Sequence, residues 1–192
     1  MTNNNKAAVK AITPEFRVSF PVLFEPQLPH NAKPTDKPRY SLTMLFPEGA
    51  DLSELKAAAA NAAAAKFGPD KARWPKGMRS PFRDGAEKEY SGYGPGVTFI
   101  KAWTFIRPAV VNRQREPITD STEVYAGCYA KASLVASGYN SNGNSGVRFA
   151  LQNVQKIRDG EPFSGRSSPE DDFSPIGPAA GDGAAGNDEM PF

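Results

Sequence analysis

Residues 97–115 read VTFIKAWTFIRPAVVNRQR, and the spacing of rings and cations in this stretch fits one kind of chemistry. At strand period Val97, Phe99, Lys101, Trp103, Phe105 and Arg107 share one face, and Thr98, Ile100, Ala102, Thr104 and Ile106 share the other. The second face is small and aliphatic, as a barrel interior requires. The first interleaves three rings with two cations. Rings stack on bases and cations meet phosphates, the two contacts from which a platform for single-stranded nucleic acid is built. The same rings could instead form the core of a second layer, and this stretch alone leaves both readings open.

Two other segments repeat the chemistry. In residues 124–137, VYAGCYAKASLVAS, Val124, Ala126, Cys128, Ala130, Ala132, Leu134 and Ala136 face one way, with Tyr125, Tyr129 and Lys131 on the other. Gly127 on that second side allows a bend or bulge. The long irregular segment 66–96 adds Lys71, Arg73, Trp74, Lys76, Arg79, Phe82, Arg83, Tyr90 and Tyr93. Residues 66–115 hold eleven basic residues against four acidic, with eight aromatics, which favours a functional loop over a mere connection. The candidate stacking residues are Trp103, Phe99, Phe105, Tyr125, Tyr129 and Trp74. The candidate phosphate contacts are Lys101, Arg107, Arg113, Arg115, Lys131, Arg73, Lys76, Arg79 and Arg83. Stacking hardly distinguishes DNA from RNA.

Catalysis lacks a constellation. His30, the only histidine, stands in a proline-rich loop, and Cys128, the only cysteine, stands in a strand-like run where a buried thiol is expected. Pro69-Asp70 could open a metal-dependent nuclease motif, but Glu87-Lys88-Glu89-Tyr90 does not supply the Glu-x-Lys that must follow. The glycines of SGYGPG, residues 91–96, lack the flanking strand and helix of a phosphate loop. No metal or other cofactor is expected.

The elements that must position the rings are mostly strands. FRVSFPVLF, residues 16–24, places Phe16, Val18, Phe20, Val22 and Phe24 on one face, and Pro21 demotes it to an edge or bulged strand. RYSLTMLF, residues 39–46, turns Tyr40, Leu42, Met44 and Phe46 inward. An alanine-rich helix follows, with Asp51 and Glu54 spaced as a capping box and Gly68 closing it. So much alanine implies a helix lying close against a sheet or plugging a barrel end. Residues 139–146, YNSNGNSG, read as a hairpin turn around Asn142-Gly143. The return strand, residues 147–158, carries Val147, Phe149 and Leu151, then Val154 and Ile157 after a change of phase. About five long strands, one helix and a glycine bend suit a mainly β, OB-fold-like Greek-key barrel with long loops. A duplex reader would need an exposed basic helix, which this alanine helix is not.

Charge is divided along the chain. From Asp159 onward there are eight acidic residues and one basic, while the preceding 158 residues carry 22 Lys+Arg against 13 Asp+Glu. The expected layout is a flexible N-terminus over residues 1–13, a nucleic-acid-binding domain over 14–160 and a disordered acidic tail over 161–192. MTNNNKAAVK lacks a signal peptide's apolar core and no run is long enough to span a bilayer, so a cytoplasmic location is expected.

The end of the chain, Asp188, Glu189, Met190, Pro191 and Phe192, resembles the tail of bacterial single-stranded DNA-binding proteins, in which acidic residues precede Ile-Pro-Phe; Met190 replaces the isoleucine. RPAVVNRQREPI (107–118), VYAGCYAKAS (124–133), GNSGVRFALQNVQKIRDGEPFSGR (143–166) and EDDF (170–173) resemble phage-encoded single-stranded DNA-binding proteins of an OB-fold family. The resemblance spans most of residues 14–173. It implies a role in phage replication or recombination in a bacterial cytoplasm, with single-stranded DNA as one partner and replication proteins at the tail as others. The expectation is non-catalytic, largely sequence-independent binding. The alternatives are an RNA-binding OB module, a metal-dependent nuclease and a phage structural or adaptor protein.

Overall fold

In the computed structural model, residues 9–141 and 143–163 are described. Their strands are β1 (Val9–Ile12), β2 (Phe16–Gln27), β3 (Arg39–Phe46), β4 (Arg83–Asp84), β5 (Thr98–Thr104), β6 (Ala109–Val111), β7 (Tyr129–Ser141) and β8 (Asn144–Arg158), with one helix, α1 (Ser53–Phe67). The order β2-β3-β5-β8-β7 closes on itself through the β2–β7 pairing, and only β5 and β6 run parallel to β8. Five long strands therefore close the barrel. β1 and β2 line one edge of β7 in succession, broken near Pro14, and β5 and β6 line one edge of β8, broken near Pro108.

The interior is filled by alternate residues, as the strand periodicity requires: Leu42, Met44 and Phe46 from β3, Ile100 and Ala102 from β5, Ala130, Ala132, Leu134 and Ala136 from β7, and Phe149 and Leu151 from β8. Phe16 meets Phe46 edge-on at 5.7 Å. A register shift between Leu151 and Asn153 accounts for the change of phase in β8, since it returns Val154 to the core. α1 lies across β7 and β1 with Leu55, Ala58, Ala59, Ala62 and Ala63 buried. Its alanines permit close approach: a Cβ at Gly138 of β7 would stand 3.0 Å from the Ala62 carbonyl and 2.6 Å from Lys66 Cβ.

Several expectations need correction. Residues 9–12 are not loose but form β1, whose backbone pairs with Ile12↔Ser133 through Val9↔Ala136 while Ala11 enters the core. β2 is bulged, as Pro21 requires; it lies between β7 and β3 only as far as Val18, and from there its pairing is with β3 alone. The bulge between Ser19 and Val22 shifts the phase, so Leu23 occupies the core and Phe20 is expelled. The capping box does not form. Asp51 Oδ1 accepts from Ser53 N at 3.0 Å, and Glu54 Oε1 accepts from Ile12 N at 2.7 Å, tying the helix to β1. β5 ends at Thr104, whose Oγ1 accepts from Ile106 N, so Ile106 turns out to solvent, 80% exposed, instead of inward. β7 starts at Tyr129, leaving Tyr125 in the preceding loop. The β7–β8 hairpin is longer than expected, with β7 running to Ser141 and β8 starting at Asn144. Residues 159–163 also pack back onto the barrel. The remaining tail expectations, including Glu170 to Phe173 and Asp188 to Phe192, lie outside the described residues.

Candidate nucleic-acid interface

The outer surface of β2, β3 and β5 is organised in rows by strand register. Arg17, Leu45, Phe99 and Arg83 stand side by side, then Ser19, Thr43 and Lys101, then Val22, Ser41, Trp103 and Ala150. The aromatic face of β5 does therefore point away from the barrel core, and part of it is covered by a loop. Tyr93 packs edge-on to Phe99 at 5.4 Å and its hydroxyl lies 3.2 Å from Ser19 Oγ. Phe99 is buried beneath it, and no base could stack there without lifting that loop.

Trp103 is half-buried, and among the described residues no loop ring covers it as Tyr93 covers Phe99. Arg39, approaching from β3, has its Cζ 4.7 Å from the indole centroid, and Arg148, approaching from β8, stands at the same 4.7 Å. Phe105 meets the indole edge-on at 5.2 Å. A cleft of about 360 Å³ opens beside the ring, lined by Lys101, Arg79, Arg83, Arg148 and Tyr139 among others, and no acidic side chain lines it among the described residues. Arg79 is held there by backbone bonds, its N–H to the Ser145 carbonyl and its carbonyl to Val147 N–H. Arg83 packs over Phe99 and pairs on its exposed side with Glu87. Burial, and then the neighbouring Arg39 charge, hold the Lys101 ammonium below its usual range; burial does the same to Arg39 against the opposing pull of Asp36. Cations crowded around a cleft whose own lining holds no carboxylate are stabilised by an incoming anion, and a phosphate backbone supplies a row of them.

The other candidates are placed elsewhere. Tyr129 and Arg17 lie four residues along β3 from the Trp103 row, about 13 Å away at strand rise. There Arg158 Cζ sits 3.4 Å from the Tyr129 centroid, and Arg17 lies over Phe163 at 4.3 Å while donating to the Glu161 carbonyl at 2.7 Å. Tyr125 donates its hydroxyl to the Gly160 carbonyl at 2.9 Å. Both tyrosines thus hold residues 158–163 against the barrel. Arg107 lies in a depression beside Phe24 and Thr119, and not on the Trp103 face, because the chain turns at residues 105–106. Lys131 stands opposite Gln155, whose side chain binds the Asn112 and Arg113 carbonyls, so Lys131, Arg113 and Arg115 gather around the turn after β6. Arg73 pairs with Asp70 in the loop after α1, where Lys76 is also exposed.

Trp74 closes the helix. Its indole N–H donates to the Gly68 carbonyl at 2.9 Å and its ring packs on the core. Trp74→Ala is therefore expected to lower stability by roughly 2 kcal/mol through lost packing and one hydrogen bond, and to leave oligonucleotide affinity unchanged, as urea unfolding and anisotropy would report. Cys128 is buried, and burial raises its thiol pKa, which suits a core residue and not a nucleophile. Arg39, Arg148 and Tyr139 are not among the contact candidates that the sequence offers, although Arg148 stands out as a cation of the return strand. Arg148 alternates with the buried Phe149, which marks it as outward, but only the β5–β8 register brings it to Trp103.

A family model described as "Enterobacter phage Enc34, ssDNA-binding protein" matches residues 9–185. The chain belongs to this family. The match takes in the whole barrel, the Trp103 cleft and most of the tail. A relative, protein p50 of Acyrthosiphon pisum secondary endosymbiont phage 1, is 32% identical over 158 residues, 78% of this chain and 83% of that protein. Among solved structures, the single-stranded DNA-binding protein of bacteriophage Enc34 in complex with ssDNA superposes with a TM-score of 0.66 at 22% identity, covering 81% of this chain and 90% of that one. Gp2.5, a single-stranded DNA-binding protein of bacteriophage T7, gives 0.58 at 14% identity, covering 83% and 97%. The fold is that of these phage OB-type proteins.

Proposed function

We propose that the protein binds single-stranded DNA without catalysis and largely without regard to sequence, using the Trp103 cleft as its main contact. The observation that carries this reading is the half-buried indole beside the cleft, surrounded by Arg39, Arg79, Arg83, Lys101 and Arg148, with no carboxylate among the described residues that line the cleft. A base that stacks on Trp103 displaces a guanidinium from the ring, and that guanidinium is then free to meet the adjacent phosphate. Stacking by Trp103 and Phe105 has no preference among bases, which accounts for the sequence tolerance. Family membership supports a binding protein over an enzyme, and a setting in phage replication or recombination within the host cytoplasm. The acidic segment after Phe163, with six acidic residues against one basic, is suited to compete with DNA for the cleft and to offer Pro191 and Phe192 to a replication protein.

The test is an anisotropy titration of labelled oligo-dT across a salt series, for the full chain and for a chain ending at Phe163, which keeps the docked residues 159–163. The expected result is salt-sensitive binding, with log K falling by about 3 per decade of salt if four to five cations meet phosphates at ~0.7 each. Tighter binding by the shortened chain supports a competing tail. Absence of binding by both forms would overturn the reading.

A further inference from the structure

Phe20 is held where neither backbone preference nor hydrophobicity would put it. Its φ is 45°, in the left-handed region that a bulky side chain rarely adopts, and its ring is 55% exposed. The bulge between Ser19 and Val22 creates both features, since it gives the core position to Leu23 and leaves Phe20 pointing outward. The ring does not stand alone. It meets Tyr90 edge-on at 5.4 Å and 78°, and Tyr90, 54% exposed, meets Tyr93 at 5.7 Å, which in turn meets the buried Phe99 at 5.4 Å. Phe20 and Tyr90 are the solvent end of a four-ring ladder anchored in the sheet. Strain of this kind persists where the surroundings enforce it and is concentrated at binding sites.

We propose that the Phe20–Tyr90 pair is a second base-stacking platform, taking a base of the same strand that occupies the Trp103 cleft. The inference rests on the single-stranded DNA reading and extends it to a residue that strand alternation groups on one face with Phe16 and Val18. Phe20 lies on β2 between the row of Ser19, Thr43 and Lys101 and the row of Val22, Ser41 and Trp103. Only β3 separates it from β5, so the two platforms lie two strand spacings apart, roughly 10 Å. That is a span a short run of nucleotides can bridge, and Lys101 stands in the adjoining row to meet a phosphate between the stacked bases. A DNA path across β5, β3 and β2 follows from the placement of these two exposed ring pairs. A path along β8 would leave Phe20 and Tyr90 without a partner.

The experiment compares the full chain with Phe20→Leu, Phe20→Trp and Phe20→Gly. Leucine keeps apolar bulk at the same strained backbone but offers no ring face, tryptophan keeps the ring, and glycine relieves the strain. Each is titrated against labelled oligo-dT and an abasic strand of equal length, and its thermal midpoint is measured. Phe20→Leu is expected to unfold at the parent's temperature and to bind oligo-dT on the order of tenfold more weakly. Phe20→Trp should bind as the parent does, and Phe20→Gly should unfold at a higher temperature yet bind weakly. On the abasic strand the parent and Phe20→Leu should coincide. Parent-like binding of oligo-dT by Phe20→Leu would overturn the proposal, as would an equal loss on the abasic strand or a loss that tracks a lowered midpoint. Failure of the parent itself to bind oligo-dT would instead overturn the underlying function.

Discussion

Trp103→Ala will weaken oligo-dT binding by on the order of ten- to a hundredfold while leaving the barrel folded. The loss lies at the upper part of what one stacked base contributes because the indole organises its neighbours. Arg39 and Arg148 both lie over it, and Phe105 abuts its edge, so removing the ring scatters two cations and one further stacking surface. The barrel survives because Trp103 is on the outer face of β5, while its sequence neighbours Ala102 and Thr104 face the interior. The two lost cation–π contacts, about 0.5–1 kcal/mol each at a partly exposed site, set a stability cost of about 1–2 kcal/mol, small for a domain of this size. Anisotropy and urea unfolding on the same preparation separate the two effects. Normal affinity with a large stability loss would make the ring a structural residue and reverse the assignment of the β5 face.

The inward faces of the barrel were legible because strand alternation is a local property. Leu42, Met44 and Phe46, and the small residues from Cys128 to Ala136, are buried as their period dictates. The direction of Trp103 and Lys101 followed from the same rule. Failures arose where alternation was interrupted or where contact depends on register between strands. The bulge at Ser19 and Val22 reversed the fate of Phe20, and the turn at Phe105 and Ile106 carried Arg107 away from the cleft. Phe99 alternates correctly to the outer face but is covered by Tyr93, from a glycine-rich loop whose course no period reveals. The basic cleft itself joins Arg39, Arg79, Arg83, Lys101 and Arg148, drawn from four strands and a loop segment spread over more than half the chain. Composition indicates that such a patch exists; only the fold selects its members. Trp74 had the right chemistry for a base and was instead used to close a helix.

Gly127→Ala is the substitution expected to cost the most stability away from the core, on the order of 3 kcal/mol. Gly127 was legible as a bend, but the reason it must be glycine is tertiary. Its φ of 114° is strained for any L side chain, and a Cβ would stand 2.1 Å from the Glu161 carbonyl oxygen and 2.9 Å from Pro162 Cα. Its N–H donates to the Val18 carbonyl and its carbonyl accepts from Arg17 Nε, so the backbone cannot swing aside without breaking the start of β2. The segment 161–163 must therefore yield. That undocks Phe163 from Arg17 and breaks its N–H bond to the Ala126 carbonyl. Gly49→Ala separates backbone strain from crowding, because Gly49 has a φ of 83° but nothing within 4 Å of an added Cβ. Strain alone should cost it about 1 kcal/mol. If urea unfolding gave the two variants equal losses, the packing of residues 161–163 on Gly127 would contribute nothing to stability.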